Sequence, residues 1–246
     1  MGSLRTRYRT TIVDILDRLL DQNSTELDQA RDTIAAALAA DRMIYVAGSG
    51  HSHLIAEEVF YRAGGIAAAQ AILDPDLMLH LGAERSTLLE RESGRAEQVL
   101  ARYPVAPGDV VIVVSNSGRN AYPIELALAA KAKGATTIAL TSLAHARETT
   151  PRHMSGKRLF EVTDIVIDNG GVYGDASLPI PGRDIAMGPT STIIGVFLIN
   201  ALLADAVADL AARGQTVDVY RSANMQGAEG EAEAMIAKWR PRVPGL

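Results

Sequence analysis

Five consecutive β-branched residues, Val110-Val111-Ile112-Val113-Val114, run directly into Ser115-Asn116-Ser117-Gly118 and then into a helical pattern from about Tyr122 to Lys133. A strand with no polar face has to be covered on both sides, which is the condition met in parallel sheets whose crossovers are helices. The cycle recurs. Met43 to Ala47 leads into Gly48-Ser49-Gly50 and a helical pattern through Leu54, Ile55, Val59 and Phe60, closed by Gly64-Gly65. Thr136 to Leu140 leads into Thr141-Ser142, and further strands are predicted over Ala67 to Ile72 and Asp164 to Asp168. Thr190 to Leu210 reads as a long closing helix, and Gly170 to Gly188, rich in glycine and proline, as a long loop beside the site.

Ahead of the first strand, Ile12, Ile15 and Leu19, then Leu27, Ala30, Ile34 and Leu38, recur at helical spacing on either side of Asp21-Gln22-Asn23-Ser24. This predicts a helical hairpin over about 5–40, with Ser24 capping its second helix. The expected architecture is a single α/β domain over 1–246. Its core, about 43–214, is a doubly wound, mostly parallel five-stranded sheet flanked by helices, and a helical tail occupies about 215–246.

Composition excludes several classes of partner. The formal net charge of −5 comes from mixed charges without a basic block, and aromatic residues make up only 4% of the chain, so neither nucleic acid nor an anionic membrane surface is expected. The absence of cysteine removes disulfides and thiolate metal sites. Asp14, Asp17 and Arg18 interrupt the apolar stretch Thr11 to Leu20, which fits neither a signal-peptide core nor a membrane span, and the expected location is the cytoplasm.

In open parallel sheets, ligands settle beyond the carboxyl ends of the strands. Three loops at those ends are hydroxyl-rich: Ser49 and Ser52 in the first, Ser115, Asn116 and Ser117 in the second, Thr141 and Ser142 in the third. Helix N-termini following such loops favour an anion such as phosphate, although serine and threonine also cap helices in the ordinary way. The stretch Gly48-Ser49-Gly50-His51-Ser52-His53 lacks the third glycine of a dinucleotide fingerprint, and no lysine–hydroxyl pair completes a P-loop. No cofactor is expected. His51 and His53 lack a third ligand of evident spacing, so no metal site is expected either, and both are read as residues that orient the ligand or line its pocket.

Together with Gly188-Pro189-Thr190-Ser191-Thr192, these loops resemble the sugar isomerase (SIS) domain from Met43 to about Gly214. Within it, Ser117-Gly118-Arg119-Asn120-Ala121-Tyr122-Pro123-Ile124, Gly134-Ala135-Thr136-Thr137 and Arg42-Met43-Ile44-Tyr45 look like the N-acetylmuramic acid 6-phosphate etherase branch. The resemblance implies that Ser115, Asn116, Ser117 and Asn120 grip a sugar phosphate, with Ser52, Thr190 and Ser191 as weaker carry-overs. It also implies a dimer or higher homo-oligomer with a shared site.

The chemistry implied is proton abstraction beside the carbonyl of an opened sugar, which requires a carboxylate or imidazole in reach. Glu57 and Glu58 follow the first loop, while the position of the etherases' functional glutamate falls on Arg62. Glu58 and Arg62, four apart, are expected to face each other on one helix. His80 and Glu84, also four apart, are expected on another helix as a coupled imidazole and carboxylate. The expected function is a phosphosugar lyase eliminating across C2–C3 of an N-acetylated amino-sugar 6-phosphate, as a dehydratase or an etherase. The alternatives are an aldose–ketose isomerase resembling phosphoheptose isomerase and a non-catalytic sugar-phosphate sensor.

Overall fold

The computed structural model describes residues 3–222 and 230–246. Five strands, β1 (Ile44–Gly48), β2 (Ala69–Ile72), β3 (Val110–Val114), β4 (Thr136–Thr141) and β5 (Ile165–Asp168), form one sheet in the order β2-β1-β3-β4-β5. All four pairings are parallel, with Ile44 opposite both Ala69 and Val110, Val110 opposite Thr136, and Ile138 opposite Ile165.

Alternation along the strands divides the core into two layers. Ile44, Val46, Ile112, Val114, Ile138 and Leu140 face a layer built from α1 (Leu4–Gln22), α2 (Ser24–Ala39), α3 (His53–Glu58) and, after α4 to α7, α8 (Ser191–Ala212). Tyr45, Ala47, Val111, Val113 and Ala139 face the opposite layer, to which α5 (Arg95–Leu100) and α6 (Ala121–Ala132) contribute Val99, Leu100, Ile124 and Leu126. Covering both faces is what the unbroken apolar run at β3 requires. Between these elements lie α4 (Ala83–Leu89) and α7 (Leu143–Glu148).

Among the described helices, α8 alone is long and apolar enough to cross a membrane by length and composition. Here it packs against α2 and α3, with Ile194, Leu198, Ile199 and Leu202 buried in the first core layer. Gly195 makes that approach possible, because a Cβ there would lie 2.3 Å from Cδ1 of Ile55 on α3.

The helical hairpin forms as expected, but its turn is organised by Asn23 rather than Ser24. Asn23 is the residue ahead of α2, and Ser24 is already helical. The buried Asn23 amide donates to the carbonyls of Leu19 and Asp168, and its Oδ1 accepts from the Asp168 N–H at 3.1 Å, tying the hairpin to the end of β5. The helix after the first glycine loop ends at Glu58, not near Gly64, because the chain turns off through Tyr61 at φ 43°. The long loop carries a two-residue hairpin, β6 (Leu178–Pro179) with β7 (Ala186–Met187). In the expected tail, α9 spans Glu231–Trp239, while 223–229 lie outside the described residues.

Candidate functional site

The chain reverses its direction of travel across the sheet between β1 and β3, so the loops leaving these two strands flank a crevice at their carboxyl ends. The first turns tightly under Gly48, where an added Cβ would lie 2.6 Å from Ser52 Cβ, so only glycine permits the turn. The Ser52 N–H closes it on the Ser49 carbonyl at 3.0 Å. Ser49 Oγ then points to a group that the sequence did not single out, donating to Glu90 Oε1 at 2.7 Å.

Glu90 follows the last residue of α4 and is half-buried. Its carbonyl accepts the N–H of Tyr122, in the first turn of α6, at 3.1 Å, so it bridges the two loops of the crevice. Nothing in local sequence marks it, because Ser49 and Glu90 are 41 positions apart and meet only through the fold.

In the second loop, Ser115 is buried and accepts the Gly118 N–H at 3.2 Å, which leaves its own hydroxyl proton free to be donated. Gly118 has φ +56°, and a Cβ there would meet Leu159 Cβ at 3.1 Å. Asn116 is stitched to the neighbouring loops: its carbonyl accepts from the Ser142 N–H and from Thr141 Oγ1, and its side-chain oxygen accepts from Asn169 Nδ2 at 3.0 Å. Half-buried Ser117 stands between them. Asn120, at the start of α6, accepts from Arg152 at 3.1 Å.

The local charge is positive. Arg152 is held below its usual range by burial and by the charges of Arg119 and Arg91, with Glu90 acting in the opposite direction. Arg119 Nε is buried without a hydrogen-bond partner among the described residues. The loop carrying Arg152 is anchored by its N–H on the Arg119 carbonyl at 2.8 Å.

Other hydroxyls are already committed. Ser142 donates to the Gly171 carbonyl at 2.6 Å and accepts the His145 N–H, as the cap of α7. Thr190 and Ser191 both hold Asp175: its Oδ1 accepts from the two backbone N–H groups and from Thr190 Oγ1, and its Oδ2 accepts from Ser191 Oγ at 2.5 Å. The anion at the N-terminus of α8 is thus the protein's own carboxylate.

Glu58 is engaged by Arg62 and by Asn200 Nδ2 at 2.8 Å; the pair forms although Arg62 lies beyond the end of α3. His80 and Glu84 do not share a helix. Gly82, at φ +129°, separates the short turn Leu79–Leu81 from α4, because this backbone geometry breaks a helical run. Glu84 is exposed on the first turn of α4. His80 instead joins Glu57, His51, His53, Leu54, Met78, Leu79 and Gly50 around a cavity of about 280 Å³ next to the first loop. Among the described residues, no group of three or more histidine or carboxylate side chains is arranged to hold a metal ion.

Comparison with known proteins identifies the fold and the family. The SIS domain family profile matches residues 7–142. A UPF0309 protein of Listeria monocytogenes serotype 4b is 41% identical over 239 residues, spanning 97% of both chains. A UPF0309 protein of Brucella ovis is 43% identical over 246 residues, spanning 100% of both. Similar folds occur in the phosphoheptose isomerase GmhA from Neisseria gonorrhoeae (TM-score 0.53, 20% identity, 84% of this chain and 100% of that one). They occur also in the Vibrio vulnificus NanR protein complexed with ManNAc-6P (TM-score 0.54, 15% identity, 98% and 69%). With its loops at the sheet's switch point and these relatives at full length, the chain belongs to the SIS domain family, alongside the UPF0309 proteins.

Proposed function

We propose that this protein is a carbon–oxygen lyase acting on an N-acylated hexosamine 6-phosphate. The observation that carries the reading is the Glu90 carboxylate bonded to Ser49 between the two loops of the crevice. Ser115, Ser117, the Asn116 amide and the first turn of α6 hold the phosphate, and Arg119 and Arg152 add positive charge beside it.

Glu90 takes the proton from C2 of the opened sugar, next to the C1 carbonyl. The electron pair of that C–H bond forms the C2–C3 double bond, the C3–O bond breaks, and His51, exposed on the first loop, returns a proton to the departing oxygen. With a free hydroxyl at C3 the leaving group is water; with a lactyl ether it is lactate. Glu58 is less suited to the task, because Arg62 and Asn200 both bond its Oε1 and the Arg62 charge pairs with it. The etherase-like stretch Ser117 to Ile124 supports elimination, and the ManNAc-6P held by the NanR protein supports the substrate class. Thr141 and Asn169 brace the loop, and a second copy of the chain is expected to complete the crevice.

Incubation with N-acetylglucosamine 6-phosphate in deuterated water, followed by NMR, tests the reading. Loss of the C3 hydroxyl with formation of an alkene is the expected outcome. A ketose product would replace the lyase with an isomerase, and binding without turnover of any N-acylated hexosamine 6-phosphate would leave a sensor.

A further inference from the structure

The cavity beside the first glycine loop has no part in gripping the phosphate or abstracting the proton. Its volume of about 280 Å³ exceeds a packing defect and lies just below the roughly 300 Å³ at which pockets for drug-sized ligands begin, room enough for part of a sugar. Leu54, Met78 and Leu79 give it an apolar wall, with Leu54 and Leu79 47% and 36% exposed at its mouth.

Its floor holds His53, a side chain 1% exposed whose ring nitrogens make no well-aligned hydrogen bond among the described residues, although the backbone of Gly50 and of Leu77 lies close enough to act on the ring. Burial pushes His53 down to about 4, outweighing the nearby carbonyls of Gly50 and Leu77 and the charge of Asp74, while His80 adds to the lowering. The ring is therefore neutral at pH 7, with one N–H donor and one bare nitrogen acceptor. A buried imidazole with only poorly aligned backbone neighbours costs stability and leaves its polar atoms open to a better partner.

We propose that this cavity seats the N-acyl group of the sugar, its alkyl end against Leu54, Met78 and Leu79 and its amide toward the His53 imidazole. The proposal rests on the phosphosugar reading above and adds the origin of specificity. An amide is neutral and carries both a donor and an acceptor, matching what the imidazole offers, whereas a free ammonium would bring an unpaired charge against the apolar wall. Position agrees with the chemistry: Gly50 and His51 line the cavity and Ser49, next in the chain, holds Glu90, so the cavity adjoins the loop that positions the proposed base.

The test is equilibrium binding of N-acetylglucosamine 6-phosphate, glucosamine 6-phosphate and glucose 6-phosphate to the full-length chain carrying Glu90→Gln, which suppresses turnover. The N-acetyl sugar is expected to bind about ten-fold tighter than the other two, the discrimination one small group provides in a fitted pocket. Adding Leu79→Trp, a filling change at a partly exposed position, is expected to erase that preference while glucose 6-phosphate binding stays within about two-fold. His53→Phe, which keeps a buried ring, is expected to reduce it. Equal binding of all three sugars, or equal weakening of all three by Leu79→Trp, overturns the assignment and leaves the phosphosugar reading intact. Binding of none of them removes that reading, and the assignment with it.

Discussion

Ser49 Oγ donates to Glu90 Oε1 at 2.7 Å, joining the loop after β1 to the end of α4 in the crevice that β1 and β3 define. One carboxylate oxygen is held in place by this bond, and the other is left to act on a substrate. Glu90→Gln keeps the shape and the Ser49 contact but removes the basic oxygen. Turnover is expected to fall by about 10²–10⁴-fold, the usual contribution of a general base, with sugar-phosphate affinity nearly unchanged. Steady-state kinetics together with calorimetric binding reads both numbers, and an active Glu90→Gln variant would move the base elsewhere.

How much of this was legible beforehand follows from the distances over which each feature is encoded. The five strands stand out because Val110 to Val114 and its counterparts are apolar on both faces, a local pattern that the parallel sheet confirms. The hydroxyl loops follow from the same reading. The separation of His80 from Glu84 was missed because periodicity alone does not reveal that Gly82 takes φ +129°. Glu90 and Asp175 were missed for a different reason: Glu90 reaches Ser49 across 41 residues, and Asp175 reaches Ser191 across 16, so only the assembled fold brings them together.

The hydroxyls of the second and third loops are chemically alike but differently engaged, and this separates their expected effects. Ser117 is free of internal bonds among the described residues, so Ser117→Ala is expected to weaken phosphosugar binding about ten-fold, as loss of a hydrogen bond to a charged group does, with little change in melting temperature. Ser142 caps α7 and bonds the Gly171 carbonyl. Ser142→Ala is expected to cost about 1 kcal/mol of stability and lower the melting temperature by roughly 2–4 °C. Calorimetry of binding and of unfolding on the same two variants distinguishes grip from cap, and the reverse pattern would exchange their roles.

His53 makes stability depend on pH in a defined window. Its folded value of about 4 lies below the ordinary 6.5, so the unfolded chain takes up the proton first as pH falls. The stability gained by keeping the ring neutral is complete above about pH 6.5 and is lost progressively as pH falls toward 4, a total of roughly 3 kcal/mol. Denaturant unfolding of the wild type between these values is expected to show that slope, and His53→Phe is expected to flatten it. An unchanged slope in the variant would assign the effect to other groups.

Glu58 and Arg62 provide the sharpest contrast with Glu90. Glu58 lies one residue from Glu57 on the helix after the glycine loop, yet its Oε1 accepts from both Arg62 and Asn200 of α8. Both donors converge on Oε1, and using Glu58 as a base would set it against the ion pair with Arg62, whereas among the described residues Glu90 is hydrogen-bonded through its side chain by Ser49 alone. Glu58→Gln keeps the Asn200 geometry within reach and loses mainly a partly exposed ion pair, worth up to about 1 kcal/mol. Turnover is expected to stay within about three-fold of wild type, well short of the loss that removal of a general base produces. Measured side by side with Glu90→Gln on N-acetylglucosamine 6-phosphate, a collapse of activity in Glu58→Gln and its survival in Glu90→Gln would place the base on α3 and require Arg62 to move aside when the sugar binds.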